Sequence, residues 1–116
     1  MTSTGAPPGE PEPFHLLSVD SGDWWCVLTL TGELDMASGP GLREAVDDAL
    51  RRGRRHVAID ASGLSFIDSS GLMALLKARQ RATAAGGSLR LTATSVPVTR
   101  VLELTGLTDE LLDRRR

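Results

Sequence analysis

Cysteine, histidine and long apolar runs are scarce in this sequence, and each shortage excludes a class of protein. Cys26 is the only cysteine, so an internal disulfide is impossible, and the two histidines, His15 and His56, form no Cys/His spacing of the zinc type. No apolar run approaches the ~18 to 20 residues that a membrane helix needs. The N-terminus lacks the basic start and apolar stretch of a secretory signal, so we predict a cytoplasmic chain.

An excess of positive charge is missing as well. The 116 residues include 13 basic and 15 acidic side chains, for a net charge of −2. Proteins that bind duplex nucleic acid usually need a basic surface, because neutralising phosphates supplies most of the affinity. Direct binding of nucleic acid is therefore not expected.

The composition that remains is that of one small globular domain. Hydrophobic residues make up 41% and charged residues 24% of the chain, which is ordinary globular usage. Residues 1–13 contain four prolines and almost nothing apolar, which predicts a disordered tail. We expect the folded domain to cover residues 14–112 and a charged end to follow at residues 113–116.

The beginning of the domain predicts a β-hairpin. Apolar runs at residues 14–19 and 24–31 flank the segment DSGD at residues 20–23, which is typical of a turn. The second run is apolar on both faces near its middle, so we expect both of its sides to be covered. Trp24 and Trp25 open this run, and we expect them to pack at an edge or in the core, with a protein contact as the alternative.

The rest of the chain alternates helical and strand patterns. We predict helices at residues 40–52, 69–85 and 96–105, with Ser38 and Ser95 as N-caps and Gly106 at the last C-terminus. We predict strands at residues 56–60 and 88–93, with a loop at residues 61–68 that carries the buried-looking Leu64 and Phe66. Strands that alternate with helices indicate an α/β domain with a mixed, mostly parallel sheet of four or five strands.

Two serines lie where the second of these helices begins, in the segment Asp68-Ser69-Ser70-Gly71. The first turn of a helix has unpaired backbone N–H groups and a partial positive charge, so a phosphate on Ser69 would be stabilised there. Gly71 has no side chain and would let a partner or a phosphate approach the backbone. The simpler interpretation is that Asp68 or Ser69 only caps the helix.

Catalytic and metal sites find less support. A nucleophilic serine of the Gly-x-Ser-x-Gly type needs a glycine where this chain has Phe66 or Ile67. His56 opens the preceding strand and would be more than ~10 Å from Ser69, too far to act as its base. Asp35, together with Asp60 and Asp68, could form a magnesium cluster if the strand ends converge, although solvated carboxylates are the simpler interpretation.

At this point the sequence resembles a known family, the anti-sigma factor antagonists of bacteria. The segment LSFIDSSGL at residues 64–72 is similar to the phosphorylation segment of that family, and TGELD at residues 31–35 resembles its loop after the second strand. Gly-Gly at residues 86–87 before a strand and VLELTGL at residues 101–107 complete the likeness, which covers residues 14–112.

The resemblance implies a STAS fold and a partner-switching binding module that is not an enzyme and carries no cofactor. The unphosphorylated form would bind an anti-sigma factor and release a sigma factor. The anti-sigma factor would also be a serine kinase that uses its own Mg-ATP, and a serine phosphatase would reverse the mark. The resemblance places the phosphorylation at Ser69 and the partner contacts at Asp35, Asp68, Ser70 and Gly71.

Two other functions stay open at this stage. The chain could be a STAS interaction module of another signalling or transport assembly, or a nucleotide-binding STAS domain. The long proline-rich tail and the Trp24-Trp25 pair are not part of the family pattern.

Overall fold

In the computed structural model, which describes residues 12–113, four strands form one sheet and helices pack against it. The strands are β1 (His15–Ser21), β2 (Trp25–Leu34), β3 (His56–Ile67) and β4 (Ser88–Thr94). The helices are α1 (Gly39–Arg51), α2 (Ser69–Ala84), α3 (Val96–Thr105) and α4 (Thr108–Leu111). The strand order is β1-β2-β3-β4, with β1 antiparallel to β2 and the other neighbours parallel. The predicted α/β class, the hairpin and the mixed sheet are confirmed, and the sheet has four strands.

One continuous apolar core lies on one face of the sheet. Alternate residues of β2 point into it, as the pattern of Cys26, Leu28 and Leu30 predicts, and all three are fully buried. Apolar residues at helical spacing on α1 and α2 cover these strands, and α3 adds Val98 and Leu102 to the same cluster. These buried faces belong to the helices predicted at residues 40–52, 69–85 and 96–105.

The predicted loop at residues 61–68 is wrong, because β3 continues to Ile67. Its second half pairs with the end of β2, so residues 32–34, expected in the loop after that strand, also belong to the strand. The register shifts twice along this pairing, between Thr29 and Thr31 and between Gly32 and Glu33, and such bulges interrupt the two-residue alternation that identifies a strand. Phe66, expected inside, is 44% exposed.

The second face of the sheet is less covered than predicted. Val27 and Thr29 of β2 are only half-buried, and burial on both faces is instead found on β3, where Val57, Ala58 and Ile59 are all buried in succession. β3 lies between two parallel neighbours, which is the position where a strand needs apolar residues on both sides.

The tryptophan pair does not enter the core. Trp24 is 54% exposed and lies under the guanidinium of Arg55, 5.5 Å from its ring centre, and Trp25 packs against the ring of His56 at 5.0 Å. These contacts place both rings at the end of the sheet where the two central strands, β2 and β3, begin. The rings pack outside the core, and the protein contact given as the alternative stays a prediction.

Helix boundaries follow the predicted caps with one exception. The Ser95 hydroxyl accepts the N–H of Val98 at the start of α3, and Gly106 ends that helix at φ +73°, a conformation that glycine adopts without strain. Ser38 makes no cap bond on α1, because its hydroxyl accepts the N–H of Asp35 and donates to the carbonyl of Glu33. Ser38 still occupies the N-cap position, where its backbone carbonyl accepts the N–H of Leu42, but its side chain holds the preceding turn together.

Helices α1 and α2 lie side by side and run in the same direction. Near their N-termini, Gly39 approaches Ala74 so closely that a Cβ on the glycine would lie 3.4 Å from the alanine Cβ. Two turns further on, the Arg81 Nε lies 3.7 Å from a carboxylate oxygen of Asp47. The two helices run parallel because each one belongs to a crossover connection that brings the chain back to the start of the next parallel strand.

Parts of the prediction lie outside the described residues. The disordered tail at residues 1–13 does so except for Glu12 and Pro13, and so does the charged end beyond Asp113. Among the residues that are described, no helix is long and apolar enough to cross a membrane.

An ion-pair cluster joins the hairpin to the C-terminus of α1. The Arg52 guanidinium donates to the Asp20 carboxylate at 2.8 Å, and the Arg54 Nε lies 3.4 Å from the same carboxylate. The hydrogen bond from Arg52 lowers the pKa of Asp20 most, and the charges of both arginines lower it further. The folded state therefore favours the ionised form of this carboxyl group.

Acid should weaken this cluster, and Asp20→Asn tests it. Because folding lowers the pKa of Asp20, its stabilising effect is complete above the unfolded pKa of about 3.9 and is lost as the pH falls through the folded value. The difference in melting temperature between parent and Asp20→Asn should thus be largest near pH 7 and shrink below pH 4. Asp23→Asn, in the adjacent turn, is the control. A difference that stays constant from pH 7 to pH 3 would contradict the prediction.

Candidate functional site

The candidate site lies where β3 ends and α2 begins. Asp68 is the N-cap of α2, and its carboxylate accepts the N–H of Gly71 at 2.9 Å. Ser69 is the first helical residue and is exposed. Within residues 12–113 its hydroxyl has no hydrogen-bond partner, so it is free to react or to bind. The cap interpretation therefore applies to Asp68, and Ser69 needs another explanation.

Gly71 has an internal role that differs from the predicted one. It is buried, and a Cβ built on it would lie 2.2 Å from the carbonyl oxygen of Leu34, the last residue of β2. The backbone N–H of Asp68 points at the same carbonyl at 3.4 Å. The missing side chain thus lets the first turn of α2 dock on the end of β2, and the close approach is made by the chain itself instead of by a partner.

Asp35 shapes the turn between β2 and α1. One of its carboxylate oxygens accepts the backbone N–H groups of Ala37 at 3.0 Å and of Ser38 at 3.1 Å, together with the Ser38 hydroxyl at 3.1 Å. Its second carboxylate oxygen is left for other contacts. Because this turn follows β2 directly, and β2 ends against the first turn of α2, Asp35 is held beside the serine segment.

A groove between α1 and α2 joins these residues into one surface, which we call the α1–α2 groove. It has a volume of about 530 Å³. Its lining includes the predicted Asp35, Ser69 and Ser70 near the helix N-termini, and continues along the helices over residues that the sequence analysis did not single out: Met36, Arg43, Met73, Lys77 and Arg81. Met36 is 78% exposed and Met73 49% exposed, and both line the same groove.

A pattern in the sequence could have found part of this lining. Met73, Lys77 and Arg81 follow one another at four-residue spacing and so form a stripe along one side of α2. The stripe borders the buried residues of the same helix, and so a search limited to apolar periodicity overlooks it.

The residues considered as a catalytic base or as metal ligands, His56 and Asp60, lie apart from the serine segment. His56 stands at the opposite end of the 12-residue β3, a strand that spans roughly 36 Å and ends two residues before Ser69, and its Nδ1 lies 2.8 Å from the Ser88 hydroxyl. Asp60 accepts the N–H and hydroxyl of Ser62, which lowers its pKa. Within the described part of the chain, no three His, Cys, Asp or Glu side chains converge as metal ligands.

Substitutions at Asp68 distinguish the stabilising effect of its cap hydrogen bond from that of its negative charge. Asp68→Ala should lower the free energy of unfolding by about 1 kcal/mol, because the N–H of Gly71 loses its acceptor. Asp68→Asn should cost much less, since an amide oxygen can accept the same bond. Urea unfolding of the three proteins measures both effects. Equal losses in the two variants would mean that charge, and not the cap bond, carries the contribution of Asp68.

Comparisons with known proteins agree with this geometry. The family model described as STAS domain matches residues 17–115. The anti-sigma F factor antagonist of Paenibacillus polymyxa is 32% identical over 82 residues, which span 70% of this chain and 70% of that relative.

Solved structures of similar fold carry related names. An anti-sigma factor antagonist from Mycobacterium paratuberculosis superimposes with a TM-score of 0.75 and 25% identity, over 89% of this chain and 87% of that one. The antagonist SpoIIAA in its unphosphorylated form gives a TM-score of 0.71 and 27% identity over 90% of both chains. The phosphorylated form of SpoIIAA, a cell fate determinant of Bacillus, gives 0.66 and 27% over 90% of this chain and 93% of that one.

The family match spans most of the chain, the curated relative exceeds 30% identity over more than two thirds of both chains, and the fold agrees throughout. The chain belongs to the anti-sigma factor antagonists of the STAS domain family.

Proposed function

We propose that this protein binds an anti-sigma factor while Ser69 is unmodified, and that phosphorylation of Ser69 switches this binding off. The observation that carries the proposal is the Ser69 hydroxyl, which is exposed at the first residue of α2 on the wall of the α1–α2 groove. A kinase can reach it without disturbing the core, and a docked partner would cover it.

The electrostatics of the site explain how a phosphate would act as a switch. Phosphorylation adds about −1.5 to −2 charges. The helix start tolerates that charge, because its backbone N–H groups and dipole favour an anion. A partner surface suited to a neutral serine between the carboxylates of Asp35 and Asp68 would instead meet added bulk and further negative charge. The same modification is thus acceptable to the free domain and unfavourable to the complex.

The names of the relatives support this assignment. SpoIIAA is described as an anti-sigma factor antagonist and has been solved in unphosphorylated and phosphorylated forms. The fold of this chain agrees with both forms, and its serine lies at a position that a modifying enzyme can reach. In the proposed cycle the anti-sigma factor is itself the serine kinase and supplies the Mg-ATP, and a serine phosphatase restores the binding form. The domain itself acts as a binding module.

Phosphorylation of serine variants tests the proposal. Parent, Ser69→Ala and Ser70→Ala proteins are incubated with the anti-sigma factor kinase from the same cell and ATP, and phosphate is located by mass spectrometry of peptides. We expect the parent and Ser70→Ala to gain one phosphate on Ser69, and Ser69→Ala to gain none. Because Ser70 is the half-buried neighbour, its variant is the matched control. Equal phosphorylation of Ser69→Ala and the parent would refute the assignment.

A further inference from the structure

The far half of the α1–α2 groove carries positive charge that the domain does not neutralise. Arg43 lies 3.8 Å from Asp47, and Arg81 lies 3.7 Å from the same residue, so the two arginines share one carboxylate. Lys77 lines the groove with them, is exposed, and has no acidic partner among the described residues. Three cations with one anion leave an excess of two positive charges, in a chain whose net charge is negative.

The cations lie further along the helices than the phosphorylation site. Lys77 follows Ser69 by eight residues of α2, which is about 12 Å along the helix axis, and Arg81 follows it by about 18 Å. Met73, four residues after Ser69 and four before Lys77, is exposed in the intervening part of the groove, and Met36 is exposed in the turn before α1. The groove thus presents Ser69 with Asp35 and Met36 first, then Met73, then the excess of positive charge.

From this order we infer that the groove binds a segment of the anti-sigma factor whose acidic side chains lie over Lys77 and Arg43. This inference rests on the proposed function and adds the chemistry of the partner. Flexible methionines accommodate apolar side chains of the same segment, and a groove between two helices is a common seat for an amphipathic helix. The methionines indicate a protein partner, since a purely anionic ligand would gain nothing from them.

The two ends of the groove then have separate tasks. Ser69 determines whether the partner binds, through its state of phosphorylation. The cations at Lys77 and Arg43 determine which partner binds, because a surface without matching carboxylates would leave Lys77 unpaired and would gain no steering in the encounter. Exposed charges act mainly on association and lose strength as salt screens them.

Charge reversal at Lys77 tests the inference, because this side chain has no ion pair to break within residues 12–113. Binding of unphosphorylated parent, Lys77→Glu and Lys77→Arg to the anti-sigma factor kinase used in the Ser69 assay is measured by calorimetry at 50 and 300 mM salt. We expect Lys77→Glu to weaken binding about tenfold at low salt and to reduce its salt dependence, and Lys77→Arg to bind as the parent does. Arg100→Glu, an equal charge change at an exposed position of α3, should stay within about twofold of the parent.

Thermal unfolding of Lys77→Glu should match that of the parent, which excludes a folding defect as the cause. If the parent binds but Lys77→Glu binds equally well, or if Arg100→Glu is weakened as much, the inference is overturned while the proposed function stands. If the parent neither binds nor is phosphorylated, both are overturned together.

Discussion

Gly71→Ala is expected to lower the free energy of unfolding by about 3 kcal/mol, the upper end of what overpacking usually costs. The added methyl group would lie 2.2 Å from the Leu34 carbonyl oxygen and 3.0 Å from a side-chain carbon of Ile67. The first of these atoms is backbone and cannot rotate away, so α2 has to shift from the end of β2. For a domain of this size the loss should reduce the melting temperature by roughly 10 °C or more, measurable by calorimetry.

Gly41→Ala is the matched control for that experiment. Gly41 also lies in a helix, but its nearest neighbour to an added Cβ is a ring carbon of Phe14 at 3.9 Å, an ordinary contact. Alanine there should leave stability unchanged or raise it by up to ~1 kcal/mol, since glycine is a poor helix former. If both variants were equally stable, Gly71 would not be needed for the docking of α2 on β2.

Ser69→Asp should weaken binding to the anti-sigma factor by about tenfold or more, the second large effect that we expect. The new carboxylate would stand next to Asp68 at the start of α2, on the groove wall that Asp35 also lines. A partner fitted to the unmodified surface would meet repulsion that does not exist in the parent. Stability should change little, because a negative charge is favourable in the first turn of a helix.

The comparison with Ser69→Asn separates charge from bulk. Asparagine is nearly the same size as aspartate but neutral, and should weaken binding far less. Ser69→Ala should bind like the unmodified parent and remain bound in the presence of kinase and ATP. If aspartate and asparagine weaken binding equally, the switch works by volume; if neither does, Ser69 lies outside the interface.

Secondary structure could be predicted best where the apolar residues recur at one constant spacing over the whole element. The hairpin, the helical stripes of α1 and α2 and the alternation of β4 all have an unbroken pattern, and each was predicted at nearly the right bounds. The second half of β3 was not predicted as a strand. Bulges in its pairing with β2 place Leu64 and Ile67 on the core side three positions apart, where a regular strand would bury every second residue. A shift of register depends on the neighbouring strand, which local pattern does not describe.

At the candidate site, too, some features could be predicted from local sequence and others could not. Ser69 at a helix start could be inferred from local chemistry, and the structure places it there, exposed. The internal role of Gly71 could not, because the Leu34 carbonyl is 37 positions away in sequence and meets the glycine only through the parallel pairing of β2 with β3. The cations of the α1–α2 groove were missed for a related reason, since Arg43 and Lys77 come together only when the two helices lie parallel.

The hydrogen bonds of Asp35 have a consequence for how such domains diversify. Three bonds to one carboxylate oxygen fix the path of the turn, and the side chains of Met36 and Ala37 at its tip contribute none of them. The shape of the backbone at these two positions therefore does not depend on which side chains they carry. Substitutions there can alter the surface of the tip without loosening the turn, so duplicated copies of such a gene could diverge at this surface while keeping the same fold.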